Sequence, residues 1–326
     1  MAAEMRDGES RTSAVRSETP ESRPALGGVV LVVLGALVTG SSASLLGLAK
    51  VSGPTAAFFR CGYALALLGP LAWLERRRST TPLGRRAIVR AAGGGVALAV
   101  DLMVWDQSIK LLGAGLSTVV QDTQVLFVAA AGWLLFRESI RAGTLALVPV
   151  ILGGVALIAG VGGSSGSNPT LGTALGIVSA VAYAGYLLSF RAGRGQALPG
   201  ARQLFVVTLA ATVLSGTVGG LTGTLALTPE WPSAGWLALA AVVVQVFGWS
   251  VLSRAMAHLS TVHLSIGLLL QPVAALAFAA IALGDYPSAL QLVGTVAVIG
   301  SVAGAAYFEG RRIPTKPHPD ASRPSR

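Results

Sequence analysis

Three ionisable residues sit deep inside long apolar runs: Arg60, Asp101 and Asp122. Four amides share that setting, Gln121, Gln124, Gln245 and Gln271. At the centre of a bilayer each charged side chain costs about 3 kcal/mol on insertion scales, so such residues face a cavity or a partner. A carboxyl in that position suits proton uptake and release or the binding of a polar substrate group, with Asp101 the first candidate and Asp122 the second. Arg60 suits an anionic group, or it neutralises Asp101. The amides fit substrate ligation and equally fit hydrogen bonding between helices. Trp105 and Trp249 are candidates for a cavity wall, whereas Trp73, Trp231 and Trp236 lie near block ends and read as interface anchors. Asp106 and Lys110, four apart, read as a surface pair. His258 and His263 lack a nearby third ligand and make a poor metal site, so no metal or other cofactor is expected. There is no GxxxxGK[ST] phosphate loop and no HExxH, so neither ATP-driven work nor a metal-dependent hydrolytic centre is indicated.

The elements that hold these residues follow from composition. Of 326 residues, 53% are hydrophobic and 12% charged, and the mean hydropathy is +0.69. Soluble domains carry about 25% charged residues. The apolar residues fall into ten blocks of membrane-spanning length: 26–48, 54–74, 88–109, 114–136, 142–161, 170–191, 203–223, 233–255, 260–283 and 287–308. The expected fold is all-α, a polytopic membrane protein of ten transmembrane helices between two polar tails, 1–25 and 309–326. Cys61 is the one cysteine and lies within a block, where it reads as a packing residue.

The net charge of +10 could signal nucleic acid or a membrane surface. Every basic residue except Lys50, Arg60 and Lys110 falls on one side when both termini are cytoplasmic and ten spans alternate. That skew orients a protein in the cell membrane. The basic residues are scattered over separate short loops, so no nucleic-acid partner is expected. The expected partners are the lipid bilayer and a small-molecule substrate, with a homodimer left open.

The chain also repeats itself. Gln124 aligns with Gln271 and Glu138 with Asp285 at an offset of 147, which also carries Gly153 onto Gly300. At an offset of 144, Trp105 matches Trp249, Lys110 matches Arg254 and Asp101 matches Gln245, while Leu-Ser-Thr-Val recurs at 116–119 and 259–262. Two five-span units result, 26–161 and 162–308. An odd number of spans inverts the second unit in the membrane, the architecture of alternating-access carriers.

These residues resemble the drug/metabolite transporter superfamily, EamA type. The resemblance rests on SGPTAAFFRCGYALALL (52–68), WDQSIKLLGAGLSTVV (105–120), WLLFRESI (133–140) and LLLQPVAALAFAAIALGDYPSALQLVGTVAVIGSVAGA (268–305), with Pro272 in the ninth block. Val125 stands where the family often has proline, and 121–124 read Gln-Asp-Thr-Gln, polar for the family. The resemblance implies ten helices, inverted repeats and export or exchange of small metabolites. The expected function is thus secondary transport by alternating access, proton coupling included, with no enzymatic activity. Two rivals predict different structures. A membrane enzyme on a lipid-borne substrate needs a His or Asp cluster at a membrane face. A structural or sensor bundle needs a tightly packed centre with Asp101 and Asp122 in salt bridges and no cavity between the halves.

Overall fold

The computed structural model describes residues 26–78, 84–136, 142–158, 167–190, 200–252 and 270–310, and among them every regular element is helical. Glu138, His258, His263, the recurrence at 259–262 and both tails apart from Glu309–Gly310 lie outside the described residues. In chain order the helices are α1 (Leu26–Gly40), α2 (Ser42–Ala49), α3 (Gly53–Arg78), α4 (Arg85–Leu112), α5 (Ala114–Gln121), α6 (Gln124–Phe136), α7 (Ala142–Ile158), α8 (Pro169–Phe190) and α9 (Ala201–Leu221). There follow α10 (Ser233–Leu252), α11 (Leu270–Leu283) and α12 (Ala289–Gly310). Six helical stretches are long and apolar enough to cross a membrane: Val30–Ala49, α3, α4, Pro169–Ser189 within α8, α9 and α10. Helix is the form these sequences must take, because lipid offers no partner to a backbone N–H or C=O.

Two apolar blocks are not continuous helices. The first bends at Ser41, whose hydroxyl returns to the Val38 carbonyl at 2.7 Å, while Thr39 returns to Gly35 at 2.7 Å. Such back-bonding by Ser and Thr competes with the helical ladder and bends it. The block 114–136 breaks between Gln121 and Gln124. There the Val120 carbonyl accepts both the backbone N–H (3.1 Å) and the hydroxyl (2.7 Å) of Thr123. A third irregularity lies inside α10, which winds as π-helix over Ala241–Gly248.

Small residues let the helices approach closely. A Cβ on Gly95 of α4 would meet the Val207 carbonyl of α9 at 2.3 Å, and one on Gly154 of α7 would meet the Gly294 carbonyl of α12 at 2.8 Å. The order of these neighbours gives helix direction. Pro54, Phe58, Gly62 and Gly69 of α3 lie against Gly219, Gly216, Thr212 and Phe205 of α9, so the two run antiparallel. Leu147, Gly154 and Ile158 of α7 lie against Gly304, Val298 and Gly294 of α12, also antiparallel. α4 packs along α8 and α9, α5 on α8 and α11, α6 on α8, α1 and α2 on α10 and α11, and α3 on α10. The main core gathers Leu46, Cys61, Leu98, Trp105, Tyr186 and Leu237, and a second gathers Leu116, Val119, Ile151, Ile158 and Val298. Large apolar side chains such as Val89, Leu134, Val213 and Val296 point outward, as lipid-facing residues do.

The ends of the bundle are tied by specific bonds. At one end Ser52 and Thr55 donate to the Thr224 carbonyl at 2.6 and 3.1 Å, Lys110 donates to the Val51 carbonyl at 2.6 Å, and the Ala114 N–H donates to Asp285 Oδ2 at 2.9 Å. At the other end Glu75, closing α3, accepts from the Arg202 N–H at 3.3 Å. Arg76, Arg77, Arg78, Arg85, Arg86 and Arg90 crowd this second end.

Candidate functional site

A belt of polar side chains crosses the seam where α2, α3 and α4 meet α8 and α10. Asp101, on α4, is 2% exposed. Its Oδ1 accepts from Ser179 Oγ of α8 at 2.6 Å and from Gln121 Nε2 of α5 at 2.7 Å. Gln121 also donates to Ser179 at 3.1 Å. A carboxylate oxygen in apolar surroundings needs such donors, and three helices must be in place to supply them.

Arg60, on α3, is 5% exposed and lies one layer away. It donates from Nη1 to Ser42 Oγ at 3.0 Å and from Nη2 to Gln245 Oε1 at 3.2 Å. Gln245 sits in the π-helical turn of α10. The direct pairing of Arg60 with Asp101 is not formed; the two interact electrostatically across the belt. Neutral acceptors take the guanidinium, and neutral donors take the carboxylate.

Aromatic rings close the belt. Tyr183 and Tyr186 of α8 stack at 5.7 Å between centroids, and the Trp249 ring meets Tyr186 edge-on at 5.6 Å. Trp105, one turn beyond Asp101, is buried in the same core. Both tryptophans expected at a cavity wall therefore belong to the belt's surroundings. Tyr183 lies in electrostatic reach of Asp101 and of Asp122.

Several buried polar atoms of the belt and its neighbourhood find no hydrogen-bond partner among the described residues. Three are donors, Arg60 Nε, Gln245 Nε2 and Trp105 Nε1; two are acceptors, Asp122 Oδ2 and Gln124 Oε1. Each such group costs about 1–3 kcal/mol when left buried, a cost that a purely structural core has no reason to carry. Gln271 is the second residue of α11, and Gln124 the first of α6; the Gln271 carbonyl packs on Gly40 of α1, where a Cβ would come within 2.7 Å.

Some expectations change. Asp106 and Lys110 do bond, yet Asp106 is buried at 2% exposure, so this is an inward strut and not a surface pair. Thr118, one turn before Asp122, donates to the Ala114 carbonyl at 2.9 Å. Asp285, beyond the helices, caps α5; its burial pushes the carboxyl above the usual aspartate range, and the bond from Ala114 opposes this. Two clefts of about 380 Å³ lie at the ends of the bundle. One is lined by Lys50, Val51, Asp106 and Lys110, and the other by Leu71, Leu74, Glu75 and Arg78.

Ser42, Ser179, Tyr183 and Tyr186 were not singled out from the sequence. Ser179, Tyr183 and Tyr186 fall at i, i+4 and i+7, one face of α8. That polar stripe in an apolar block is the signal that finds them.

A chain whose described residues are helical wherever regular, with six apolar helical stretches of membrane-spanning length, is a multi-pass membrane protein. Residues 26–160 match the model of the EamA-like transporter family. A protein of solved crystal structure shares the fold, with a TM-score of 0.57 over 88% of this chain and 99% of its own length at 18% identity. No curated protein matches the chain in sequence.

Proposed function

We propose that the protein is a secondary transporter of ten spans that carries a small polar or amphipathic metabolite through the seam between two inverted halves. In this reading α1 with α2 forms the first span, α5 with α6 the fourth, and α11 belongs to the ninth. The observation that carries it is the symmetry of the packing. The third span packs on the sixth and the eighth on the first; the fourth on the sixth and the ninth on the first; the third on the seventh and the eighth on the second. The second and seventh pack on each other, as do the fifth and tenth. Each is a contact and its mate under exchange of the halves. The antiparallel runs of α3 with α9 and α7 with α12 are what inversion requires of equivalent helices. A parallel repeat would bring equivalent helices together pointing the same way.

Function follows from that symmetry. If two halves of one fold adopt different shapes, exchanging those shapes opens the opposite face. The belt at the seam is where substrate would sit, with Arg60, Asp101, Gln121 and Gln245 as its polar contacts and Tyr183, Tyr186 and Trp249 as its walls. The arginine-rich end is cytoplasmic by the positive-inside rule, and the end bearing Lys50 and Lys110 is external. The structural-bundle rival calls for Asp101 and Asp122 in salt bridges and for no cavity between the halves; among the described residues the salt bridge formed is Lys110–Asp106, while the two clefts described lie at the ends of the bundle.

The test is exchange in proteoliposomes. Metabolites that differ between cells with and without the protein supply the candidate substrates. Wild type should exchange one of them across the membrane without ATP, and Asp101→Asn should slow it at least tenfold. Exchange by neither protein, across the whole set, would overturn the reading.

A further inference from the structure

The break between α5 and α6 is electronegative for three separate reasons. α5 ends there, so its last-turn carbonyls present the negative pole of the helix, and no basic residue occupies that turn. Asp122 follows, with Oδ2 buried and without a donor from the described residues. Two residues on, Gln124 buries its amide oxygen in the same condition. The bend is held by Thr123 bonding to Val120, so Asp122 and Gln124 are not consumed in making it.

The charges around the break do not offset it. Tyr183 of α8 faces Asp122, and Asp101 of α4 lies in reach of the same tyrosine. α11, packed against α5, is uncharged throughout (LQPVAALAFAAIAL). α12 also packs on α5, and its sequence has no ionisable residue before position 307. Arg60 directs both terminal nitrogens to Ser42 and Gln245. Among the described residues, two carboxyls thus stand with one guanidinium, and with both ionised a single negative charge is left over. An uncompensated carboxylate in an apolar core is among the costliest arrangements a protein can hold. Interrupted spans whose helix ends and acidic side chains point into the core are where carriers hold a coupling ion.

We propose that the interruption at 121–124 is the site of a small monovalent cation, accepted by Asp122 Oδ2 and Gln124 Oε1, and that its arrival and departure drive the exchange of the two halves. This rests on the transporter reading for its purpose, though the site can be tested without transport. The cation is either a proton bonded to Asp122 and shared with Gln124, or Na⁺ held by both oxygens. Both are hard cations that ask for oxygen acceptors. Asp101 is then not the coupling group, because Ser179 and Gln121 already satisfy its Oδ1.

Purified protein suffices, with no substrate present. One arm measures ²²Na⁺ binding at fixed pH. The other records infrared difference spectra between two pH values and reads the band of a protonated carboxyl. Wild type should give one of these signals. Asp122→Asn should abolish it and Asp101→Asn should keep it. Absence of both signals in wild type, or a signal that survives Asp122→Asn, overturns the proposal. If Asp122→Asn does not fold, Gln124→Leu serves: it should weaken Na⁺ binding at least tenfold or shift the carboxyl band, and an unaltered signal counts against the site. In proteoliposomes the two readings separate. Counterflow that persists with no response to a pH or Na⁺ gradient sinks the cation site and leaves the transporter standing; no counterflow at all, with cation binding intact, does the reverse.

Discussion

Asp101 is buried and Asp122 buries its Oδ2; the two carboxyls come from adjoining elements and are held in opposite ways. Asp101 is gripped by a hydroxyl and an amide from two other helices. Asp122 Oδ2 is offered no hydrogen by the described residues, and the neighbouring Gln124 adds another acceptor. The first arrangement binds helices together; the second leaves a charge for something that comes and goes. Under the proposed cation site, the same side chain ties helices together at one position and receives a moving ligand at the other. What separates them is the count of donors around each.

Substitutions should break the comparison in a definite order. Asp122→Asn has the largest expected effect, a complete loss of gradient-driven transport, read as accumulation under an imposed pH or Na⁺ gradient. Asp101→Ala comes next. It removes the acceptor that Ser179 Oγ and Gln121 Nε2 share in the core, and thermal melting in detergent should show a loss of about 1–3 kcal/mol. Gly113→Ala should cost a similar amount by the same measurement, about 1–3 kcal/mol for strained backbone. Gly113 has φ 100°, and a Cβ there would lie 2.1 Å from Asp285 Oδ2. Ser179→Ala removes one of two bonds to Asp101 and should cost about 1 kcal/mol. Asp122→Leu should be the mildest for stability, within about 0.5 kcal/mol of wild type or slightly more stable, because it removes an unsatisfied buried group. If Asp122→Leu destabilises as much as Asp101→Ala, the two carboxylates are alike and the comparison fails.

Much of this was legible in the sequence, for one physical reason. A lipid-spanning helix must be apolar over most of its length, so the blocks declare themselves. The described helices fall within the blocks apart from a few residues at their ends. The breaks did not declare themselves equally. Gln-Asp-Thr-Gln at 121–124 is visibly polar, whereas Thr-Gly-Ser-Ser at 39–42 passes as mild. Nor does hydropathy report which face of a span is buried, since lipid and core are both apolar. Asp106 is the consequence: one turn from Lys110 it reads as exposed, yet α4 turns it inward. The partners of Asp101 were hidden for a related reason. Serine is nearly neutral in a hydropathy sum, and Ser179 is 78 residues away in the chain. The π-helical turn of α10 has no sequence mark either. Gln245 aligns with Asp101 in the repeat, but one lies in a π turn against Arg60 and the other in regular α-helix against Ser179.

The end ties extend the comparison to the whole molecule. Asp285 joins the second half to the N-terminus of α5, whose other end carries Gln121 and leads into Asp122. Closure at that end and the state of the polar belt are thereby linked through one eight-residue helix. The direct test is a single cysteine at position 121, in a Cys61→Ser background, challenged from each side of a sealed membrane with an impermeant maleimide. The account predicts reaction from both sides, with Asp285→Ala increasing labelling from the outer side; labelling from one side alone, unaltered by Asp285→Ala, would contradict it.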